Sequence, residues 1–186
     1  NHMRVGDILY FSPKYKFNDL DWDNKEILIK AFRDRVKGFY LEPAKILNKR
    51  RHAFGAGVLC VTTIDFLARI MINLEKVGQR IKRWLITNIP SFDETLAQRF
   101  YEDFRNGLVH EGRIKNCGQF SYDSNKELIR IENEIMIVNP NMLLEKIIDS
   151  FKHYMNKVEN NGFTFQQFRC ALIRDFQKDV ECAQRK

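Results

Sequence analysis

Residues 104–113 read FRNGLVHEGR. Phe104, Leu108 and Val109 suit a protein core, but Arg105, Asn106 and His110 do not need to be there for packing. Imidazole is the side chain that takes and gives protons near neutral pH. A guanidinium offers a fixed fork of donors to developing negative charge. An amide beside them can hold an anion or orient the imidazole. The stretch therefore raises the question of whether this protein cuts something. A plainer reading stands beside it: Arg105 as a solvated helix residue and His110 as a cation at a helix C-terminus, where the dipole favours positive charge.

Spacing constrains the chemistry. On an α-helix, five steps of about 100° put Arg105 and His110 roughly 140° apart, whereas Asn106 and His110, four apart, share a face. One such helix does not focus Arg and His on one atom. Two copies meeting across a two-fold axis do, so a site here is expected to be composite and homodimeric.

The elements that must position these residues are helical. Asp23 with Glu26 three positions on reads as a helix start. Leu28, Phe32, Val36 and Phe39 continue that helix until Pro43 kinks or interrupts it. Residues 53–76 are apolar nearly all round, the mark of a central buried helix. A short helix over 79–88 ends before Pro90. Ser91 and Glu94 then open the motif helix, whose Phe92, Leu96, Phe100, Phe104 and Leu108 recur every four residues. Gly112 stops it. Residues 118–138 turn strand-like around Asp123-Ser124-Asn125-Lys126, predicting a small β-hairpin. Asn139-Pro140 opens a helix to about 158, and Thr164 with Gln167 caps a last one over about 164–184. The expectation is an all-α, antiparallel bundle of five to six helices in one domain, residues 4–186, with the hairpin inserted after the motif helix.

In that setting FRNGLVH resembles the signature of the HEPN superfamily, R-x4-6-H with a polar residue after the arginine, on a late helix of an all-α bundle. The resemblance covers about residues 25–158. It implies a metal-independent endoribonuclease without a cofactor, in which the ribose 2′-hydroxyl attacks phosphorus and leaves a 2′,3′-cyclic phosphate and a 5′-hydroxyl. Arg105 and His110 would be catalytic and Asn106 supporting. It also implies a toxin or defence setting with a possible antitoxin partner. The alternative within the same fold is a non-catalytic HEPN module that binds RNA, a nucleotide or a partner protein, since a fold does not fix a function. A bundle that only pairs protein chains through its final helix is a third reading.

Asp65 and Arg69 stand four apart in the most apolar helix, where a lone charge is expensive. They read as an ion pair at the core edge. The resemblance offers another role, Asp65 orienting a motif side chain and Arg69 meeting phosphate. Formal net charge is +7 and the pI about 9.3, which favours an anionic partner such as RNA. Arg50 and Arg51, in the densest basic run, and Arg113 and Lys115, just past the motif, are the candidate RNA contacts; solvated helix ends are the plainer account. Cysteines 60, 117, 170 and 182 form no C-x-x-C and the histidines complete no zinc spacing, so no metal site is expected. Asp65 and Arg69 argue against a membrane span for the apolar stretch. Unpaired thiols and no recognisable leader point to the cytoplasm. Gly55 and Gly57 read as packing glycines, Cys60 as a small core residue, and His153 as structural.

Overall fold

The computed structural model describes residues 2–123 and 127–185. Helices dominate: α1 (Lys25–Val36), α2 (Glu42–Lys49), α3 (Ala53–Met71), α4 (Val77–Asn88), α5 (Glu94–Phe100), α6 (Pro140–Asn160) and α7 (Gly162–Gln184). Two stretches wind more loosely, with i→i+5 hydrogen bonding: Lys37–Leu41, joining α1 to α2, and Tyr101–Glu111, continuing α5. Five short strands complete the described residues: β1 (Arg4–Val5), β2 (Ile8–Leu9), β3 (Gln119–Phe120), β4 (Ile129–Glu132) and β5 (Ile135–Val138). The mostly helical expectation is met.

The chain divides into two compact units, Asn1–Glu42 with Phe151–Lys186, and Pro43–Ser150. In the first, antiparallel β1 and β2 precede α1. Leu28, Phe32 and Val36 of α1 and Phe168, Leu172 and Phe176 of α7 are buried. The Phe32 and Phe168 rings meet edge-on at 5.1 Å, a geometry that aromatic quadrupoles prefer. The aromatic stripe of α7 is thus core within its own unit. In the second unit, α3 is lined by buried Ala56, Gly57, Cys60, Val61, Ile64, Leu67 and Ala68 and packs on α4, β3 and the loosely wound helix. Gly57 is needed there, because a Cβ would collide with the Phe120 ring. Cys60 is fully buried, which pushes its thiol up to about 12. By length and composition α3 could cross a membrane, but half of that apolar window is buried inside the protein.

Several boundaries differ from the sequence reading. The helix starts are capped by neighbours of the expected residues: Asn24 accepts from Ile27 N (3.1 Å), Asp93 from Leu96 N (2.8 Å) and Asn161 from Thr164 N (2.8 Å). Each has an extended backbone that lets a short side chain reach back to the first turn; Asp23 instead pairs with Arg169 at 2.6 Å. Asn139 caps α6 as expected, through Asn141 N and Met142 N. Pro43 does not break its helix. The widened turn just before it absorbs the missing N–H. The hairpin is β4–β5, turned by Asn133 and Glu134 with φ of 47° and 66°, and β3 adds a third, parallel strand to β5. Paired positive φ values suit a two-residue turn whose twist matches the strands. The turn expected at 123–126 lies outside the described residues from Ser124 to Lys126.

Candidate functional site

The loosely wound helix changes the geometry of the motif. An i→i+5 ladder advances by only about 80–85° per residue. Five steps then return Arg105 and His110 to within roughly 40–65° of each other, with His110 between Arg105 and Asn106 around the axis. The α-helical spacing that sets Arg and His apart does not apply to this segment: at the wider winding all three positions fall toward a single face.

This winding is held from outside. Asp103 is buried and its carboxylate accepts from Asn116 Nδ2 at 2.7 Å and from Arg99 Nε at 3.3 Å. The Asp103 carbonyl accepts from Lys115 N (2.9 Å) and the Gly107 carbonyl from Arg113 N (3.2 Å). The segment after the helix therefore lies back along it as a strap and takes up the Asp103 and Gly107 carbonyls. Gly112, at φ 67°, makes the reversal. Gly107 makes the close approach, because a Cβ there would strike the Arg113 carbonyl oxygen. Inside, Phe100 and Phe104 stack at 5.1 Å, and Phe104 meets Phe120 edge-on at 5.1 Å.

Arg105 is the best-fixed member. Its Nε and Nη2 donate to Asp65 Oδ2 at 3.0 and 2.9 Å, and its Nη1 to Asn106 Oδ1 at 3.2 Å. Its Cζ lies 5.9 Å from the Tyr101 ring centroid, within cation–π range. The side chains of Arg105 and Asp65 remain 14% and 25% exposed, so the pair is sheltered yet open to solvent on one side. Asp65 thus turns to Arg105, forty positions away, which is the contact with a motif side chain that the resemblance offered. Arg69 is exposed, one turn further on. His110 is exposed, and its imidazole hydrogen-bonds no side chain among the described residues.

The other candidates fall into two places. Arg113 and Lys115 both pair with Glu111, each at 2.6 Å. The hydrogen bond from Lys115, then the Arg113 charge, hold the Glu111 carboxyl below its ordinary range. Arg50 and Arg51 close α2 and are exposed. The stretch of α3 between Ala53 and Asp65 is roughly 18 Å at about 1.5 Å per residue, so these two do not join the Arg105 cluster. Arg80 of α4 is buried and its Nη1 donates to the Leu74 and Glu75 carbonyls. His153 is exposed on α6. Among the described residues no group of three or more His, Cys, Asp or Glu side chains could hold a metal ion.

Tyr101 and Glu111 escaped the sequence reading. A signal for the loose winding was present: strict four-residue spacing from Phe92 to Leu108 drifts about 40° per step on an α-helix and about −30° on the wider one. A stripe that long stays on one face only if the winding changes midway. Compared with known proteins, the chain matches no family profile, no curated protein and no solved structure.

Proposed function

We propose that this chain is a metal-independent endoribonuclease of the HEPN type, acting in the cytoplasm as a homodimer. The observation that carries the reading is the shared face of Arg105, Asn106 and His110, with Asp65 fixing the guanidinium. In the reaction the ribose 2′-oxygen bonds to phosphorus and the bond from phosphorus to the 5′-oxygen breaks. The 2′-hydroxyl proton passes to one imidazole, and a second imidazolium protonates the departing 5′-oxygen. Arg105 balances the charge on the phosphorane between these steps. Asp65 keeps Arg105 in place and Asn106 orients either the phosphate or His110.

One chain supplies one imidazole to this face. His52 precedes α3, roughly 18 Å of helix away from Asp65, and the same residue of a second copy is the natural general acid. The dimer is thus required for the second proton, not to bring arginine to histidine. A toxin or defence role, with an antitoxin that covers the site, belongs to this reading.

The test is RNA incubated in EDTA with wild type, His110→Ala and Arg105→Ala. The expected result is cleavage leaving a 2′,3′-cyclic phosphate, reduced by about 100-fold or more in each variant. Equal cleavage by all three would end the proposal.

One observation favours a second reading, a non-catalytic module that binds RNA, a nucleotide or a partner. The Arg105 guanidinium is already engaged by Asp65 and Asn106. Salt-sensitive RNA binding that survives His110→Ala, with no cleavage by wild type, selects this reading.

A further inference from the structure

The corner where α2 gives way to α3 gathers cations and aromatics. Lys49, Arg50, Arg51 and His52 are all exposed there. Phe54, in the first turn of α3, is 55% exposed. Tyr122, just past β3, brings a second ring. Its hydroxyl donates to Asn48 Oδ1 at 2.8 Å, and Asn48 is itself buried and tied through Nδ2 to the Pro140 carbonyl at 3.4 Å. The ring is therefore held at a set position. Arg51 lies over it, Cζ 5.0 Å from the centroid.

The backbone of Arg51 supplies an independent sign. Arg51 N bonds to the Asn48 carbonyl and His52 N to the Leu47 carbonyl, both at 2.9 Å, which closes α2 in a Schellman turn. The residue at the left-handed position of that turn is usually glycine, yet here it is an arginine at φ 57°. The chain keeps a bulky cation where a glycine would fold more easily, and an observed backbone outlier of this kind is grounds for asking what the side chain does.

We infer that this corner is a second nucleic-acid site, a platform for a single-stranded RNA segment whose bases stack on the Tyr122–Arg51 pair and on Phe54. Charge complementarity selects the occupant: cations track the phosphates while planar groups receive bases, the combination by which proteins hold single strands without reading sequence. The choice of RNA rests on the ribonuclease reading above; the stacking chemistry does not. The platform holds the strand at a distance from the Arg105 face, so that the scission site acts on a tethered substrate.

The test uses a fully 2′-O-methylated twelve-nucleotide strand carrying 2-aminopurine, which cannot undergo 2′-hydroxyl attack. The loss of its binding in platform variants therefore reads the platform, while cleavage assays of His110→Ala read the other proposal. Wild type should bind in a salt-dependent way and quench the 2-aminopurine. Arg51→Gly should weaken binding about fivefold or more and relieve the quenching, while melting no lower than wild type because the turn now has its preferred residue. Tyr122→Leu and Phe54→Ser should each relieve quenching. Arg51→Gly binding within twofold of wild type would overturn the inference. So would binding to anionic phospholipid vesicles that depends on Phe54 while the strand binds no variant differently.

Discussion

The two loosely wound helices of this chain make an instructive pair. Lys37–Leu41 is a single widened turn just ahead of Pro43, whose ring and missing N–H account for it. Tyr101–Glu111 is longer and has no proline to excuse it. Its winding is imposed by Asp103, by the strap from Gly112 to Gly118, and by Gly107, which lets the strap lie close. The first turn brings Tyr40 to hydrogen-bond Arg35, whose guanidinium lies buried among the Phe11, Phe39 and Phe176 rings. The second aligns Arg105, Asn106 and His110. The difference teaches that unusual winding takes on chemical meaning when the surrounding structure goes out of its way to maintain it.

Several substitutions break or sharpen this contrast. The largest effect is expected from the two glycines. Gly107→Ala drives a Cβ into backbone and should cost about 3 kcal/mol by thermal melting and abolish cleavage, since the strap must move. Gly38→Ala also meets an obstacle, the Pro13 ring, which can give only by changing pucker or moving with its own loop. It should cost about 1–2 kcal/mol and leave cleavage by the folded fraction intact. If Gly38→Ala proved as damaging to cleavage as Gly107→Ala, the two helices would not differ in the way argued here.

Next comes Asp103→Ala, which strands Asn116 and removes the buried carboxylate that holds the strap. A loss of about 2 kcal/mol is expected in denaturant unfolding, with Arg99, partly exposed, finding water in compensation. Asp65→Asn separates stability from function. The pair with Arg105 is partly solvated, so stability should change by less than about 1 kcal/mol. RNA cleavage should nevertheless fall by roughly 10- to 100-fold as the guanidinium loses its anchor. A stability loss with unchanged cleavage would make Asp65 a packing residue only.

The smallest effect concerns Glu111. Its carboxyl is held below the ordinary range in the folded chain by Lys115 and Arg113. A depressed carboxylate contributes stability that is fully present above the unfolded-state value, about 4.3, and is lost as pH falls through the lower folded value. The melting temperatures of wild type and Glu111→Gln should therefore differ slightly at neutral pH and converge in acid. A gap that persists unchanged in acid would remove the ion pairs from the account of the strap.

Much of this was legible in the residues. Apolar spacing located the helices, because burying a stripe is what makes each one stable. Gly112 and Asn139 announced a stop and a start. The caps at Asn24, Asp93 and Asn161 were misplaced because adjacent residues offer similar acceptors, and only backbone angle decides between them. The turn of Asp65 to a motif side chain came from the resemblance alone, because a contact across forty positions leaves no periodic trace. The winding of Tyr101–Glu111 left one, in the four-residue aromatic repeat, but it takes both helix periods to read it.

The central claim is that Arg105, Asn106 and His110 act on one phosphate from one helical face. An NMR titration with a 2′-deoxy dinucleotide monophosphate, which binds like substrate but lacks the attacking hydroxyl, tests it most directly. The Arg105 Nε–H, the Asn106 side-chain amide and the His110 ring signals should shift together with a single dissociation constant. If the His110 ring stays fixed while the Arg105 signal moves, the shared face does not bind as a unit and the claim is wrong.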